Sequence, residues 1–469
     1  MQIPFDNSYA ALPDAFYSRL DPTPVKQARL LAFNNDLAKL MRIEATDREQ
    51  IAEVFGGNVV PNGAAPLAQL YAGHQFGGFN PQLGDGRAIL LGETTGEDGV
   101  RRDVQLKGSG PTPYSRMGDG RAWLGPVLRE YVVSEAMHAL GIPTTRALAA
   151  IASGEDIWRE QGALPGAILA RVAQSHLRVG TFQVFAHRGD LENLRTLTDY
   201  AIKRHYPSAE GPLELLRAVC AAQIDLVTSW LAVGFIHGVM NTDNCSIAGE
   251  TIDYGPCAFM DGFHQARVFS SIDQQGRYAY GNQPGIAVWN MAQLATSLVQ
   301  LSETKQAAVE EATEIIHAMP DQIEAAWRSK FSAKIGISTA QDGDQALVED
   351  LLALMQVSGA DFTNTFRALG DGTAGDQFLN REAFDPWFAR WQERIETEPD
   401  AKATLASANP SVIPRNHRIE EMIAAAVAGD MAPFERLMAA CATPYQRTDA
   451  ALERPPTSDE IVPATYCGT

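Results

Sequence analysis

Apart from one candidate strand pair within 237–256, the strand-like segments of this chain lie in its first 185 residues, and that division limits the folds it can adopt. Three short runs rich in β-forming residues stand there: AILLGE at 88–93, DVQLK at 103–107 and AILARVA at 167–173. One helical segment lies between them, at 121–140, and it stops at Gly141-Ile142-Pro143. After Phe185 the apolar spacing is helical, and helices are predicted at 190–206, 213–233, 285–301, 304–330, 376–396, 417–428 and 431–441. The pattern predicts an α+β protein with a β-rich first lobe, a mainly helical second lobe and a cleft between them.

The local sequence pattern predicts two lobes with an extension on each side and a tail. Residues 1–66 are predicted to be an extension of mixed helix and loop, with an apolar helical stripe through Leu30, Leu31, Phe33, Leu37 and Leu40. The first lobe is then expected at 67–185 and the second at 186–335. A helical extension follows at 336–454, and the proline-bearing end at 455–469 is predicted to be a flexible tail.

Charge and composition exclude several classes of protein. The 469 residues are 45% hydrophobic and carry a formal net charge of −19, which does not suit a nucleic-acid surface. Between Pro81 and Asp190, however, twelve Lys and Arg balance twelve Asp and Glu, and this local balance suggests an anionic ligand. We find no membrane span or targeting peptide, and the five scattered cysteines do not form a secreted disulfide framework, so we expect a cytoplasmic protein.

The segment HGVMNTDNCSIAGETIDYGP, residues 237–256, concentrates polar oxygens that could hold a metal. If CSIAGETID folds as a hairpin about Ala248 and Gly249, Asn244 lies opposite Asp253. An amide oxygen and a carboxylate that leave room for phosphate and water suit Mg²⁺. The simpler interpretation is a polar turn followed by a strand cap.

The same segment has the spacing of the protein-kinase catalytic loop, HRDxxxxN, followed by a DFG-like Asp253-Tyr254-Gly255. The position of the kinase catalytic base is Val239, which cannot accept a proton. Asp243, beside Asn244, is the nearest replacement and is our candidate general base.

A cationic phosphate site is predicted in the first lobe. Lys107 ends a strand and precedes the helix that holds Glu130, in the order in which kinases place a phosphate-binding lysine and its glutamate partner. Helical phase alone leaves Glu135 as a competing partner. Two glycine-rich loops, at 77–87 and 108–121, flank the lysine and both contain GDGR, although neither fits the Walker pattern.

Two further arginines could complete this site. Arg171 lies on the last predicted strand of the first lobe, and Arg178 follows that strand. We expect both to point toward the cleft, and the alternative is that they are surface arginines.

Three long motifs, in order, resemble the selenoprotein O family of pseudokinase-like protein adenylyltransferases. They are YAGHQFGGFNPQLGDGRAILLGE, QLKGSGPTPYSRMGDGRAWLGPVLREYVVSEAMHALGIPTTRAL and HGVMNTDNCSIAGETIDYGP, and NPSVIPRNHRIEEMIAAAVAGDMAPFERLMAACATPY resembles the same family further on. The resemblance implies a bilobal protein-kinase-like fold. It also implies transfer of AMP from ATP to Ser, Thr or Tyr hydroxyls of protein substrates, with ATP bound in the reverse sense to kinases and pyrophosphate leaving.

The resemblance also implies a role for each matching residue. Nucleotide contacts are expected from Gly84, Gly86, Arg87, Asp119 and Gly120. Lys107 paired with Glu130, together with Arg171 and Arg178, is expected to hold the phosphates. Asn244 and Asp253 are expected to bind Mg²⁺, with Mn²⁺ as the alternative metal, and Asp243 to act as the base.

Two other functions remain open at this point, a divergent kinase that uses Asp243 as its base and a non-catalytic nucleotide-binding pseudokinase. We expect a monomer, and the sequence does not separate ATP from UTP as the substrate. Cys467 matches the family's selenocysteine or cysteine third from the C-terminus. The family's activation-loop cysteine has no counterpart in ARVFSSID, which leaves Cys257 as a weak candidate for a regulatory disulfide.

Overall fold

The computed structural model describes residues 1–160 and 162–466, and these residues form an α+β protein with a β-rich N-terminal part and a mainly helical C-terminal part. The strands are β1 Tyr17–Arg19, β2 Arg29–Phe33, β3 Leu67–Gln75, β4 Gly78–Gly84, β5 Ala88–Thr95, β6 Arg101–Lys107, β7 Ala122–Trp123, β8 Arg146–Arg159, β9 Gly162–Ala173, β10 Phe235–Ile236 and β11 Ala258–Phe259. The α-helices are α1 Asn35–Leu40, α2 Arg48–Phe55, α3 Leu124–Ala139, α4 Val179–Arg188, α5 Leu191–His205, α6 Pro212–Ala232, α7 Gln283–Leu298, α8 Lys305–Lys334, α9 Asp344–Ser358, α10 Phe362–Asp371, α11 Arg381–Ile395, α12 Ala401–Ala408, α13 Asn416–Val427, α14 Ala432–Cys441 and α15 Ala450–Glu453.

The large sheet is antiparallel, and one of its faces carries charged residues of the predicted site. In the described chain its strand order is β1-β3-β5-β6-β9-β8-β2, with β4 paired to β3 and β7 paired to β9. On the central pair, Gln105 of β6 lies opposite Arg171 of β9. Opposed residues point to the same side and side chains alternate along a strand, so Lys107, two residues on, shares that face. The predicted strands at 88–93, 103–107 and 167–173 are confirmed within β5, β6 and β9.

The predicted helical stripe from Leu30 to Leu40 is wrong, because a strand and a helix share it. β2 pairs with β8, with Arg29 opposite Ala152 and Phe33 opposite Ala149. The Asn34 side chain then accepts the backbone N–H of Leu37 and caps α1. β1 and β2 stand at the two ends of the strand order, so the first 66 residues supply both of those strands.

The seven helices predicted after residue 185 are all present, as α5, α6, α7, α8, α11, α13 and α14. In the described chain, five helices from α4 onward were not predicted: α4, α9, α10, α12 and the short α15. α4 has the sequence VGTFQVFAHR, which begins with a β-branched residue and glycine and has low helix propensity. Its first seven residues are nevertheless buried, so packing determines its conformation.

Helix α3 is enclosed on two sides. It packs on β8 and β9 of the sheet, and α13 and α14 cover its other side, where the rings of Tyr131 and Phe434 lie 5.6 Å apart. Glu130 on this helix is therefore buried. A buried carboxylate needs a charged or hydrogen-bonding partner. Because α3 packs directly on the sheet, a side chain of the sheet can supply that partner to Glu130.

The segment 455–469 is predicted to be a flexible tail, and in its described part Thr465 is in contact with the rest of the protein. Thr465 is buried, forms a parallel bridge with Ser270 and donates its hydroxyl to the carbonyl of Pro256 at 2.6 Å. Backbone hydrogen bonds join Thr465 to Phe269 at 2.7 Å and to Ser271 at 3.0 Å. Cys467 and its predicted pairing with Cys257 lie outside the described residues.

Helix α6 is long and apolar enough, by length and composition alone, to cross a bilayer. Within the protein, 61% of its most apolar window is buried. The core helix of a soluble protein passes the same test, so the helix is weak evidence for a membrane span.

Glu250 gives a prediction for the pH dependence of stability. Burial raises the pKa of its carboxyl to about 8, and the backbone N–H of Gln174 donates to it at 2.9 Å. Between its ordinary pKa near 4.5 and about 8 the folded protein holds a proton that the unfolded chain releases. The free energy of unfolding should therefore fall as pH rises through that window, by roughly 1 kcal/mol per pH unit from this group.

Replacing Glu250 with glutamine removes the titration and keeps an acceptor for Gln174. The free energy of unfolding, measured by chemical denaturation from pH 5 to 8.5, should decline less steeply in Glu250→Gln than in the wild type. Equal slopes in the two proteins would contradict the assignment.

Candidate active site

A cleft between the sheet and the helical part brings the predicted residues together. It has a volume of about 620 Å³, and its lining includes Gly84, Gly86, Arg87, Lys107, Asp119, Gly120, Arg171, Arg178, Asp243, Asn244 and Asp253. Glu130 does not line the cleft and lies behind Lys107. A second cavity, of about 690 Å³, lies among α7, α8 and α9 and contains none of these residues. The candidate active site is therefore the first cleft.

Asp253 is the centre of a partly buried ion cluster. Its Oδ1 accepts hydrogen bonds from Lys107 Nζ at 2.7 Å and Arg171 at 2.6 Å, and its Oδ2 accepts one from Arg178 at 2.7 Å. Burial alone would raise the pKa of this carboxyl, but the three cations outweigh that effect and hold the pKa well below its usual range. Asp253 is also one of the few non-glycine residues with positive φ, at 62°. Such strained backbone conformations are concentrated at functional sites.

Lys107 pairs with Glu130 and not with Glu135. The Lys107 Nζ lies 2.7 Å from Glu130 Oε2, and Arg171 donates to the other oxygen of Glu130 at 3.2 Å. Glu135 instead receives two hydrogen bonds from Arg146, at 2.8 and 2.7 Å. Glu135, the alternative partner that helical phase left open for Lys107, is thus paired with Arg146 instead.

The two glycine-rich segments line the cleft, but the first, predicted as a loop, is mostly strand β4, Gly78–Gly84. Asp119 accepts the backbone N–H of Arg121 at 2.9 Å and pairs with Arg159 at 2.8 Å, which fixes the second loop. Gly84 has φ 148°, and a Cβ there would collide with the ring of Tyr114. Glycine is therefore required at position 84, where the end of β4 passes Tyr114 of the second glycine-rich segment.

Gly84→Ala should disrupt this contact between the loops. We expect a loss of about 1–3 kcal/mol in stability from overpacking, and about tenfold weaker nucleotide binding because Tyr114 must move. Gly99→Ala is the matched control, since Gly99 also has positive φ, at 77°, but a Cβ there meets nothing within 4 Å. Nucleotide affinity, measured by calorimetry, should fall only in Gly84→Ala. Equal affinities of the two variants would contradict the prediction.

Asp243 lies at the bottom of the cleft in a 3₁₀ turn, Thr242–Asn244. Burial raises the pKa of its carboxyl to about 6, against the opposing effect of a hydrogen bond from the Gln75 side chain. Gln75 Nε2 donates to Oδ2 at 3.1 Å, while the buried Oδ1 has no hydrogen-bond partner. The carboxyl is thus placed as a base candidate with acceptor capacity remaining.

Asn244 and Asp253 line the same cleft, but not through the predicted hairpin, which is wrong. Ser246 bridges to Arg178 and Thr251 bridges to Thr144, and among the described residues no ladder joins the two sides of the turn at Gly249. The paired strands are further out: β10 and β11 align Phe235 with Phe259 and Ile236 with Ala258. The segment between them is a long loop whose backbone bonds to neighbours on both sides.

Two residues of the cleft, Asn244 and Asp253, offer oxygen ligands for a divalent cation. No cluster of three or more His, Cys, Asp or Glu in the described part of the chain could hold a metal. Asn244 donates its Nδ2 to the carbonyl of Val239 at 3.0 Å, which leaves its Oδ1 as the available ligand. With the Asp253 carboxylate this supplies two hard oxygens, and Mg²⁺ takes its remaining ligands from phosphate and water.

Sequence reasoning missed several residues that shape the site. Asp85 is buried, receives hydrogen bonds from the Gln69 backbone at 3.1 Å and Gln105 at 3.0 Å, and lies 3.5 Å from Arg178. Burial raises its pKa to about 6. The ring of Tyr71 stacks under the Arg178 guanidinium at 4.6 Å. The repeated GDGR could have signalled Asp85, whereas Gln105 and Tyr71 give no local signal.

Comparisons with known proteins agree over the length of the chain. A family model described as "Protein adenylyltransferase SelO" matches residues 1–442. Similar curated proteins include three named protein nucleotidyltransferase YdiU. That of Ruegeria sp. (strain TM1040) is 67% identical and aligned over 100% of both chains. That of Roseobacter denitrificans is 68% identical over 99% of each, and that of Ruegeria pomeroyi 65% identical over 100% of this chain and 99% of the relative.

Proposed function

The chain belongs to the SelO family of protein adenylyltransferases, and from that premise we propose how its own residues carry out transfer of AMP from ATP to Ser, Thr or Tyr hydroxyls of protein substrates. Family membership makes it a nucleotidyltransferase whose reaction needs ATP and a divalent metal. The finer proposal concerns the orientation of ATP, the metal and the role of each residue. Mg²⁺ is the proposed metal.

The observation that carries the proposal is the position of the cations. Lys107, Arg171 and Arg178 converge on the partly buried Asp253, and Arg171 and Arg178 are each only 2% exposed. Cations buried this deeply suit the terminal phosphates of ATP, so the α-phosphate would face the cleft opening. This is the reverse of a kinase arrangement, in which the γ-phosphate meets the acceptor.

The proposed reaction breaks one bond and forms one. The substrate hydroxyl oxygen attacks the α-phosphorus, the bond between that phosphorus and the α–β bridging oxygen breaks, and pyrophosphate leaves. Asp243 accepts the hydroxyl proton, in place of the base absent at Val239. Lys107, Arg171 and Arg178 stabilise the charge that develops on the leaving pyrophosphate.

The metal would be held by Asn244 and Asp253. When bound, it supplies charge stabilisation to phosphate oxygens. Glu130 orients Lys107, and the loops with Gly84, Gly86 and Arg87, and with Asp119 and Gly120, enclose the nucleotide. We also propose that the β-rich and helical parts correspond to the two lobes of a protein-kinase-like fold.

Two nucleotide analogues test which phosphate bond is broken. Adenylylation cleaves the α–β bridge, so α,β-methylene-ATP should be inert while β,γ-methylene-ATP should still label protein. A divergent kinase would cleave the β–γ bridge, and it alone would label protein with α,β-methylene-ATP. Labelling with that analogue and none with β,γ-methylene-ATP would overturn the proposal.

A further inference from the structure

The end of β3 and the residue after it contact the loop between β10 and β11, which carries Asp243, through three consecutive residues. The backbone N–H of His74 donates to the hydroxyl of Thr242 at 2.7 Å, and the backbone N–H of Phe76 donates to Asn241 Oδ1 at 3.1 Å. Gln75, between them, reaches Asp243 with its side chain at 3.1 Å. The two backbone contacts hold the strand in place on either side of this glutamine.

The surroundings of Asp243 leave its carboxyl little room. A Cβ at Gly73 would lie 2.6 Å from Asp243 Oδ1, and a Cβ at Gly180 would lie 3.5 Å from the Asp243 Cα. Both glycines allow backbone to approach the aspartate closely. Oδ1 is therefore enclosed against β3 without a hydrogen-bond partner, and Oδ2 is the oxygen that a neighbouring donor can orient.

Gln75 is placed to do this. Its amide N–H occupies one lone pair of Oδ2 and leaves the other available for a substrate hydroxyl. We infer that Gln75 is a positioning residue for the reaction, because it holds Asp243 Oδ2 in the orientation needed to accept the proton. This inference rests on the proposed function, since it assumes that Asp243 is the base.

The direct test replaces Gln75 with methionine, which has similar length and shape but no donor. A misoriented base slows the chemical step, so kcat for AMP transfer should fall about tenfold, while the KM for ATP should change by no more than about twofold. Gln75→Glu keeps the shape and, when ionised, has no donor, so it should lose at least as much. Gln306→Met on α8 is the matched control, because the Gln306 Nε2 also donates to a carboxylate, Glu310 Oε1 at 2.8 Å, but on the exposed surface. This variant should leave both constants unchanged.

Each outcome bears on the inference. An unchanged kcat in Gln75→Met, or full kcat in Gln75→Glu, would overturn it. Parallel losses of kcat, ATP affinity and thermal stability would also overturn it, because they indicate a structural role only. If the wild type transfers the γ-phosphate, the proposed function fails while the comparison of kcat still tests Gln75. If it transfers nothing, both fail.

Discussion

Asp253→Ala is expected to abolish AMP transfer, with kcat lowered by at least about 10³-fold. The carboxylate is the shared partner of Lys107, Arg171 and Arg178 and one of the two proposed metal ligands. Its removal leaves two buried arginines and the partly buried Lys107 facing one another without their common anion. Phosphate positioning and metal binding should therefore be lost together.

The activity of Asp253→Ala must be compared with variants that control for loss of folding. Asp253→Asn keeps the size of the side chain and should also be inactive, because a neutral amide cannot replace the anion. Thermal unfolding of both variants separates lost chemistry from lost structure. Asp225→Ala removes an exposed carboxylate that pairs with Lys330 at 2.8 Å, and it should keep near wild-type activity. Full activity in Asp253→Ala would rule out its assigned role.

Asp243→Asn is the second large effect that we expect. An amide of the same size cannot accept the hydroxyl proton, and general-base catalysis typically contributes about 10²–10⁴-fold. The loss should appear in kcat. Nucleotide affinity should stay within about threefold of the wild type, because Asp243 has no proposed contact with the phosphates.

Single-turnover kinetics with saturating ATP measure this effect without product release. Asp225→Asn is the matched control for an Asp-to-Asn change outside the cleft. A variant that retains wild-type kcat would show that Asp243 is not the base. A variant that loses ATP binding in proportion to its rate would show that the aspartate acts on the nucleotide.

The fold was predictable where local pattern and packing agree. The runs at 88–93, 103–107 and 167–173 became strands because their β-forming residues lie in the centre of the sheet. The stripe from Leu30 to Leu40 failed because three apolar residues fit a strand as well as a helix, and only Asn34, read as a cap, separates the two. The pairing partner that decides between them, β8, is more than a hundred residues away.

The site was predictable where the order of motifs carried the information. Lys107 and Glu130 pair as their order along the chain predicts, and Asn244 and Asp253 line one cleft although the hairpin proposed to join them is wrong. Gln75 was missed because its proposed role depends on β3 meeting the loop between β10 and β11 that carries Asp243. No local pattern encodes that contact, which joins residues 168 positions apart.

The most direct test of the account follows the two ends of the triphosphate in one experiment. Wild-type protein and a protein substrate are incubated with ATP labelled at either the α or the γ phosphate, and the label that reaches protein is measured. The α label should be transferred, the γ label should leave with pyrophosphate, and Asp253→Ala should transfer neither. Transfer of the γ label alone would contradict the account, because it would mean that the protein is a kinase.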